Sequence, residues 1–251
     1  MPGTLAPESV VPLLRGRFGR PYLYAEACDS TQQLLLAEHP EGTAAVCEEQ
    51  LAGRGRLGRT WEAPARSSIL CSILLRPPGQ LPIAQLSLVG GLAVADTVEQ
   101  ASGQITTIKW PNDVLLGGGK VAGVLADGRP DGVVLGLGLN VNQTGDALPP
   151  RPGIPATSLR AVDGVERDRA PILADLLASL ETRYDAWSAG GLAALHGDLA
   201  GRDALRGRRV RAGDRSGVAV GIDPDGRLEL STTEGTMPIA SGEVSVEPLS
   251  R

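Results

Sequence analysis

Apolar residues recur along this chain with two different periods. Short runs rich in Ile, Leu, Val and Ala at 22–27, 43–48, 67–75 and 105–109 predict strands. Between 83 and about 100, Ile83, Leu86, Gly90, Ala93, Val94 and Val98 fall at helical spacing, and the small residues among them let that helix pack closely. A longer helix follows from Ile172, Leu173, Leu176, Leu177, Leu180, Tyr184 and Trp187, and a shorter one from about 192 to 199. Asp29, Ser30 and Thr31 offer N-cap oxygens for a helix through Leu34, Leu35 and Leu36. Residues 114–116 and 121–126 flank Gly117-Gly118-Gly119 and predict a hairpin. In 133–142 apolar residues alternate with glycine, as in a strand with one face closely approached by another group. Residues 50–66 show neither period and predict a long loop, a kind of segment that is usually functional or disordered.

The pattern changes after Gly201. Short β-like runs at 210, 218–222, 228–230, 237–239 and 244–246 are separated by turns such as Asp223-Pro224-Asp225-Gly226. The division is therefore an N-terminal arm over 1–20, a main domain over 21–201 and a C-terminal SH3-like β-barrel domain over 202–251.

Composition narrows the functional classes. A net charge of −5 argues against a general nucleic-acid binder, and the acidic and basic residues from Arg202 onward cancel, eight against eight. The longest apolar stretches are too short and too interrupted by glycine to span a bilayer. The N-terminus lacks the charged start and apolar run of a signal peptide. Cys28, Cys47 and Cys71 are odd in number and contain no CxxC, which reads as reduced cysteines in a cytoplasmic protein. His39 and His196 stand in no metal-ligand spacing. One imbalance is more telling: of 24 basic residues only Lys109 and Lys120 are lysines. A lysine is a compact point charge that suits tight phosphate or carboxylate sites, whereas arginine presents a wide fork.

Four stretches carry candidate chemistry. In Gly53-Arg54-Gly55-Arg56-Leu57-Gly58-Arg59-Thr60-Trp61, glycines admit backbone N–H groups to an anion and arginines add forked donors. The same composition also fits a solvated basic loop or an RNA-binding patch. Lys109-Trp110-Pro111-Asn112-Asp113 places an ammonium, an amide and a carboxylate at a strand-to-turn junction, able to serve a phosphate, a base or sugar, and Mg²⁺; it also fits an ordinary Pro-Asn-Asp turn. Gly118-Gly119-Lys120-Val121-Ala122-Gly123 lacks the spacing and the Ser/Thr of a Walker A loop. Gly136-Leu137-Gly138-Leu139-Asn140 lacks the third glycine of a dinucleotide fingerprint.

Taken in order with Asp29-Ser30-Thr31 and Gln50, these stretches resemble the biotin–protein ligase family (biotin–[acetyl-CoA-carboxylase] ligase) over roughly residues 20–250. The resemblance implies an α+β fold, with a class II synthetase-like catalytic domain of mixed β-sheet and flanking helices ahead of the small barrel. It implies an ATP-dependent ligase that makes biotinyl-5′-AMP and transfers biotin to one lysine of the biotin carboxyl carrier domain of acyl-CoA carboxylase. ATP and biotin are the substrates and Mg²⁺ the ion. Carried onto this chain, Ser30, Thr31, Gln50, Gly53, Arg54, Gly55, Arg56, Trp61, Lys120 and Gly123 would hold biotin. Arg54, Arg56, Arg59, Trp61, Lys109, Asn112, Lys120 and Asn140 would hold ATP or the adenylate. Arg56, Lys109, Asp113 and Lys120 would carry the catalysis, with Asp113 the metal-side carboxylate. Leu57 stands where relatives carry a further arginine. The loop over 53–61 is expected to be mobile alone and ordered by adenylate. The short arm implies the ligase-only type without an N-terminal DNA-binding domain, a cytoplasmic monomer or homodimer that uses neither DNA nor membrane. Lipoate–protein ligase is the neighbouring alternative, and a non-enzymatic nucleic-acid-binding regulator the alternative from another class.

Overall fold

A computed structural model of the chain describes residues 3–79, 81–150 and 153–247. Its main sheet has seven strands: β1 (Tyr22–Cys28), β2 (Ala44–Gln50), β3 (Ser68–Leu75), β4 (Thr106–Lys109), β5 (Asp113–Leu116), β6 (Gly119–Arg129) and β7 (Gly132–Asn140). They lie in the order β1-β2-β3-β7-β6-β5-β4. Only β1 and β2 run parallel; every other pairing is antiparallel, so the sheet is mixed. Of the helices α1 (Pro7–Val10), α2 (Leu86–Ser102), α3 (Leu159–Asp163), α4 (Arg169–Gly190) and α5 (His196–Arg202), the two long ones, α2 and α4, pack on each other and on the sheet. The small residues of α2 make this possible. A Cβ added at Gly90 would stand 2.9 Å from Val124 Cγ1, so helix and sheet meet at a distance that only glycine allows.

Three sequence expectations need correction. The helix proposed through Leu34, Leu35 and Leu36 is a single 3-10 turn, Thr31–Leu34, without a side-chain cap. The Thr31 hydroxyl bonds Gln50 and Ser72 instead of a backbone N–H of the turn. The shorter helix near 192–199 is likewise a 3-10 turn over Leu192–Leu195 that leads into α5. The expected arm is no loose appendage, because Leu5, Val10, Leu14 and Phe18 enter the main core. Residues 1, 2 and 248–251, assigned to the arm and the barrel, lie outside the described residues.

A buried ion pair fastens this N-terminal segment. Arg169 Nη2 and Glu48 Oε2 stand 2.7 Å apart with both side chains essentially inaccessible. The same carboxylate accepts from the Leu5 N–H at 2.8 Å, and Arg169 donates to Gly3 O at 3.0 Å. Burial pushes the Glu48 carboxyl up, but these donors outweigh it and hold it below its usual range.

The C-terminal domain is a five-stranded antiparallel sheet: β8 (Arg209–Ala212), β9 (Arg215–Ile222), β10 (Leu228–Thr232), β11 (Gly235–Ile239) and β12 (Val244–Val246), ordered β11-β10-β9-β8-β12. Its turn at 223–226 docks on the main domain. Trp110 Nε1 donates to Gly226 O at 2.9 Å, and Gln85 Nε2 donates to Asp225 O at 3.0 Å. Trp110 is thus a buried strut between domains. Trp110→Phe keeps one aromatic ring but removes the pyrrole part of the indole and strands the Gly226 carbonyl; we expect a loss of at least about 1–3 kcal/mol, read as a lower thermal midpoint with earlier proteolytic release of the C-terminal domain. An unchanged midpoint would contradict the strut.

A second link joins α5 to α2, where Arg202 Nη2 lies 2.7 Å from Glu99 Oε2. Burial raises the Glu99 carboxyl, yet the Arg202 guanidinium and the Thr106 donors overcome it and bring it to about 2. A carboxyl depressed by folding stabilises the protein above its unfolded-state pKa, and that stability is lost as pH falls toward the folded value. Glu99→Gln should therefore lower stability at pH 7 by roughly 1–2 kcal/mol, discounted for partial exposure. The gap to the unsubstituted protein should narrow between about pH 4.5 and 2. Thermal melts at pH 7 and pH 3 that keep the same gap would refute it.

Candidate active site

The alternation of glycine along β7 has a structural cause. Gln32 lies over Gly136, where an added Cβ would meet its Nε2 at 3.0 Å. The Trp61 indole lies over Gly138, where a Cβ would come within 2.6 Å of Cε2. These two side chains cover the cleft face of the strand, as its glycine pattern led us to expect.

The loop that carries Trp61 is a small hairpin closed by the backbone. Gly55 N–H donates to Arg59 O at 2.7 Å and Trp61 N–H to Gly53 O at 2.9 Å. Gly53 is needed there, since a Cβ would fall 2.3 Å from Trp61 O. Leu57 sits at the tip with φ of 56°, a left-handed conformation unusual for a leucine. The three arginines turn toward the cleft and find partners. Arg54 Nη1 pairs with Asp127 Oδ2 at 3.2 Å, Arg59 pairs with Glu243, and Arg56 Nη2 donates to Gly242 O at 3.4 Å. Burial pulls the Arg56 guanidinium below its ordinary range, so an anion placed beside it would be strongly welcomed.

Across the cleft, β4 and β5 bring Lys109 opposite Asp113. Asn112 is fixed by its own amide, which donates to Val124 O at 3.1 Å. From β6, Lys120 Nζ lies 2.6 Å from Asp113 Oδ1 and 5.6 Å from the centre of the Trp61 ring. Lys120 is also held through its backbone, as its N–H donates to Pro155 O and its carbonyl accepts from Thr157 N–H.

These residues line two adjoining cavities. The inner one, about 870 Å³, is bounded by Ser30, Thr31, Gln50, Arg54, Arg56 and Trp61, with Lys109, Asn112, Asp113 and Gly123 at its mouth and Leu70, Leu125 and Leu137 in its wall. The outer one, about 760 Å³, is bounded by Arg59, Thr60, Trp61, Asn140, Pro149, Pro150 and Ala156. Arg59, Thr60, Trp61 and Lys120 line both and stand where the two adjoin. At the inner end, the Thr31 N–H and hydroxyl both donate to Gln50 Oε1, at 2.9 and 3.1 Å, and Ser72 Oγ lies 2.7 Å from Thr31 Oγ1. Asn140 reaches the outer cavity, but its amide is engaged with Thr157 O at 2.9 Å and with Gln143. It thereby shapes the wall.

Every proposed site residue except Gly53 lines one of the two cavities, and Gly53 supports the loop beneath Trp61. Sequence reasoning missed Gln32, Ser72, Asp127 and the C-terminal pair Gly242 and Glu243. None has a local signal, because each acts across a sheet or a domain boundary. Cys71 also lines the inner cavity, but burial pushes its thiol up to about 12, which makes it a poor nucleophile. No cluster of three or more His, Cys, Asp and Glu residues suited to a metal ion occurs among the described residues. No helix among them is long and apolar enough to cross a membrane.

The two cavities share Arg59, Thr60, Trp61 and Lys120, so one ammonium borders both, and the inner one carries three arginines. The profile of the biotin/lipoate A/B protein ligase family matches residues 24–142, and that of the biotin protein ligase C-terminal domain matches residues 206–246. A biotin–[acetyl-CoA-carboxylase] ligase of Mycobacterium tuberculosis is 39% identical over 215 residues, covering 81% of this chain and 79% of that protein. The ligase of the same name from Paracoccus denitrificans is 38% identical, covering 86% and 96%. The solved structure of Aquifex aeolicus biotin protein ligase in complex with biotin and ATP superposes with a TM-score of 0.81 at 32% identity, covering 90% of this chain and 97% of that one. The chain belongs to the biotin/lipoate protein ligase family, and within it to the biotin protein ligases.

Proposed function

We infer that this chain is an ATP-dependent ligase that activates biotin and transfers it to a lysine of a biotin carboxyl carrier domain. The observation that carries this reading is the position of Lys120, whose compact ammonium stands between the two cavities. The inner cavity suits biotin: Ser30, Thr31 and Gln50 offer polar atoms to the ureido ring, and Leu70, Leu125 and Leu137 flank the hydrocarbon portion. The outer cavity suits the adenosine end of ATP.

At the junction the biotin carboxylate attacks the α-phosphorus of ATP. The carboxylate O–P bond forms, the bond from the α-phosphorus to the bridging oxygen breaks, and pyrophosphate leaves with that oxygen. Two anions must approach before bonding, so most of the chain's contribution is positioning and charge compensation by Lys120, Arg56 and Lys109. Asp113 holds the Lys120 ammonium in place at 2.6 Å. A single carboxylate beside phosphates fits Mg²⁺, which is commonly held by one or two carboxylates and the nucleotide itself. Asp113, whose Oδ1 faces Lys120, would be that carboxylate through its other oxygen, and the ion would supply neutralisation of phosphate charge. Trp61, folded over the junction, keeps water from the mixed anhydride. In the second half-reaction the carrier's lysine amine attacks the acyl carbon, an amide forms and AMP departs. We assign the loop over 53–61 an increase in order when adenylate binds.

The loop arginines point into the cleft and pair with carboxylates or carbonyls of this chain, which favours a small-molecule anion over a nucleic acid as their target. Three free cysteines agree with a reducing, cytoplasmic setting. The test is exchange of labelled pyrophosphate into ATP. Biotin should support it and lipoate should not; exchange driven by lipoate alone would move the chain to the other branch of its family.

A further inference from the structure

The turn that carries Ser30 and Thr31 is short and is closed by one backbone bond, from Gln33 N–H to Ser30 O at 3.0 Å. It is one 3-10 turn with no side-chain cap, ending at Leu34 with Leu35 already extended. The last carbonyls of such a turn have no partner of their own. Here one side chain of β6 takes a carbonyl of the turn and the carbonyl of Leu35 just after it. Arg129 Nη2 donates to Gln32 O at 2.6 Å, and Nη1 donates to Leu35 O at 2.5 Å. Two residues earlier, on the same face of β6, Asp127 pairs with the Arg54 guanidinium at 3.2 Å. Arg54 in turn donates to Gln32 Oε1 at 3.4 Å, and the Gln32 amide donates to Leu125 O at 3.4 Å while lying over Gly136. The outer end of β6 therefore grips both the polar turn and the first arginine of the loop. Neither Asp127 nor Arg129 lines either cavity.

We propose that Arg129, with Asp127 beside it, is a positioning device for biotin: it fixes the Ser30–Gln32 turn and Arg54 in register with Gln50, so that the polar end of the inner cavity is formed before the ligand arrives. The proposal rests on the assignment of that cavity to biotin and says which residues set its affinity. A fork spanning two carbonyls is a task for arginine, because a lysine ammonium cannot span both with the same planar geometry. Residues that orient metal ligands from behind change affinity by about 10–100-fold when removed, and an effect of that order is expected of this clamp. Arg129 itself holds only the polar turn, whose Ser30, Thr31 and Gln32 line the inner cavity and not the outer one, so the effect of its loss falls on biotin.

The experiment measures biotin affinity and ATP affinity separately by calorimetry on the full chain, for the unsubstituted protein, Arg129→Ala, Arg129→Lys and Asp127→Asn. Thermal midpoints are recorded alongside. Arg129→Ala should weaken biotin about 10–100-fold and leave ATP affinity within about twofold. Arg129→Lys should recover part of the loss, and Asp127→Asn, which removes only the grip on Arg54, should weaken biotin by a smaller factor. Biotin affinity unchanged in all three variants overturns the proposal. So does an equal loss of biotin and ATP affinity together with a lowered midpoint, since that would mark Arg129 as a general structural residue. Failure of the unsubstituted protein to bind biotin at all would instead overturn the assignment of the cavity, and the clamp with it.

Discussion

Replacing Lys120 by Arg should cut biotin-dependent pyrophosphate exchange by about 10²–10³-fold, the range seen when one donor to a developing charge is lost. The charge is retained, so the effect must come from shape. The Lys120 side chain is largely buried, with its ammonium 2.6 Å from Asp113 and 5.6 Å from the centre of the Trp61 ring. An added Cβ at Gly123 would already stand 3.1 Å from its Nζ. A planar guanidinium needs more width than these neighbours leave and would displace either Trp61 or Asp113. The backbone bonds of Lys120 to Pro155 and Thr157 do not depend on the side chain, so folding should survive. Near-normal exchange in a folded Lys120→Arg protein would show that the site needs a positive charge but not a compact one.

Gly138→Ala should have an effect of similar size through a different cause. The new Cβ would lie 2.6 and 2.7 Å from Cε2 and Cζ2 of Trp61, closer than side chains ever pack. The indole must leave its place over the strand, and with it goes the cover of the junction between the cavities. Displacing a positioning group by about 1 Å can cost on the order of 10²-fold in rate. Gly138 pairs with Leu70 and Gly123 through its backbone, so the sheet should persist and the thermal midpoint should change little. Gly197→Ala, where the added methyl meets nothing within 4 Å, is the matched control and should leave exchange unaltered. Equal exchange in the two variants would refute the role given to Trp61.

How much of this was legible in sequence depended on the range of the interaction. Periodicity located α2 and α4, because the residues that face the core repeat within a few positions of one another. The glycine alternation of β7 was legible for the same reason, although the groups lying over it, Gln32 and Trp61, could not be named. The residues after Thr31 misled the reading. The Thr31 hydroxyl is diverted to Gln50 and Ser72, and no local rule reports a competing partner from another strand. Trp110 looked like part of a chemical motif, yet its ring and Nε1 serve the contact with the C-terminal domain. The partners of the loop arginines were hidden for the same reason: Arg59 and Glu243 stand far apart in sequence, in different domains, and meet only in the folded chain. Most of the residues named for the site come from four short stretches, with Ser30, Thr31 and Gln50 outside them, and all but Gly53 line a cavity. Their supports, Asp127 and Arg129, were not legible, since a charged pair near a strand end resembles any solvated edge.

The central claim is transfer of biotin to a protein lysine, and it is tested most directly by intact-mass measurement of a purified biotin carboxyl carrier domain incubated with this protein, biotin, ATP and Mg²⁺. One biotinyl group should be added per carrier, and the addition should require ATP and disappear when the carrier's target lysine is replaced by arginine. A carrier whose mass is unchanged after incubation with folded protein that binds both substrates would contradict the account.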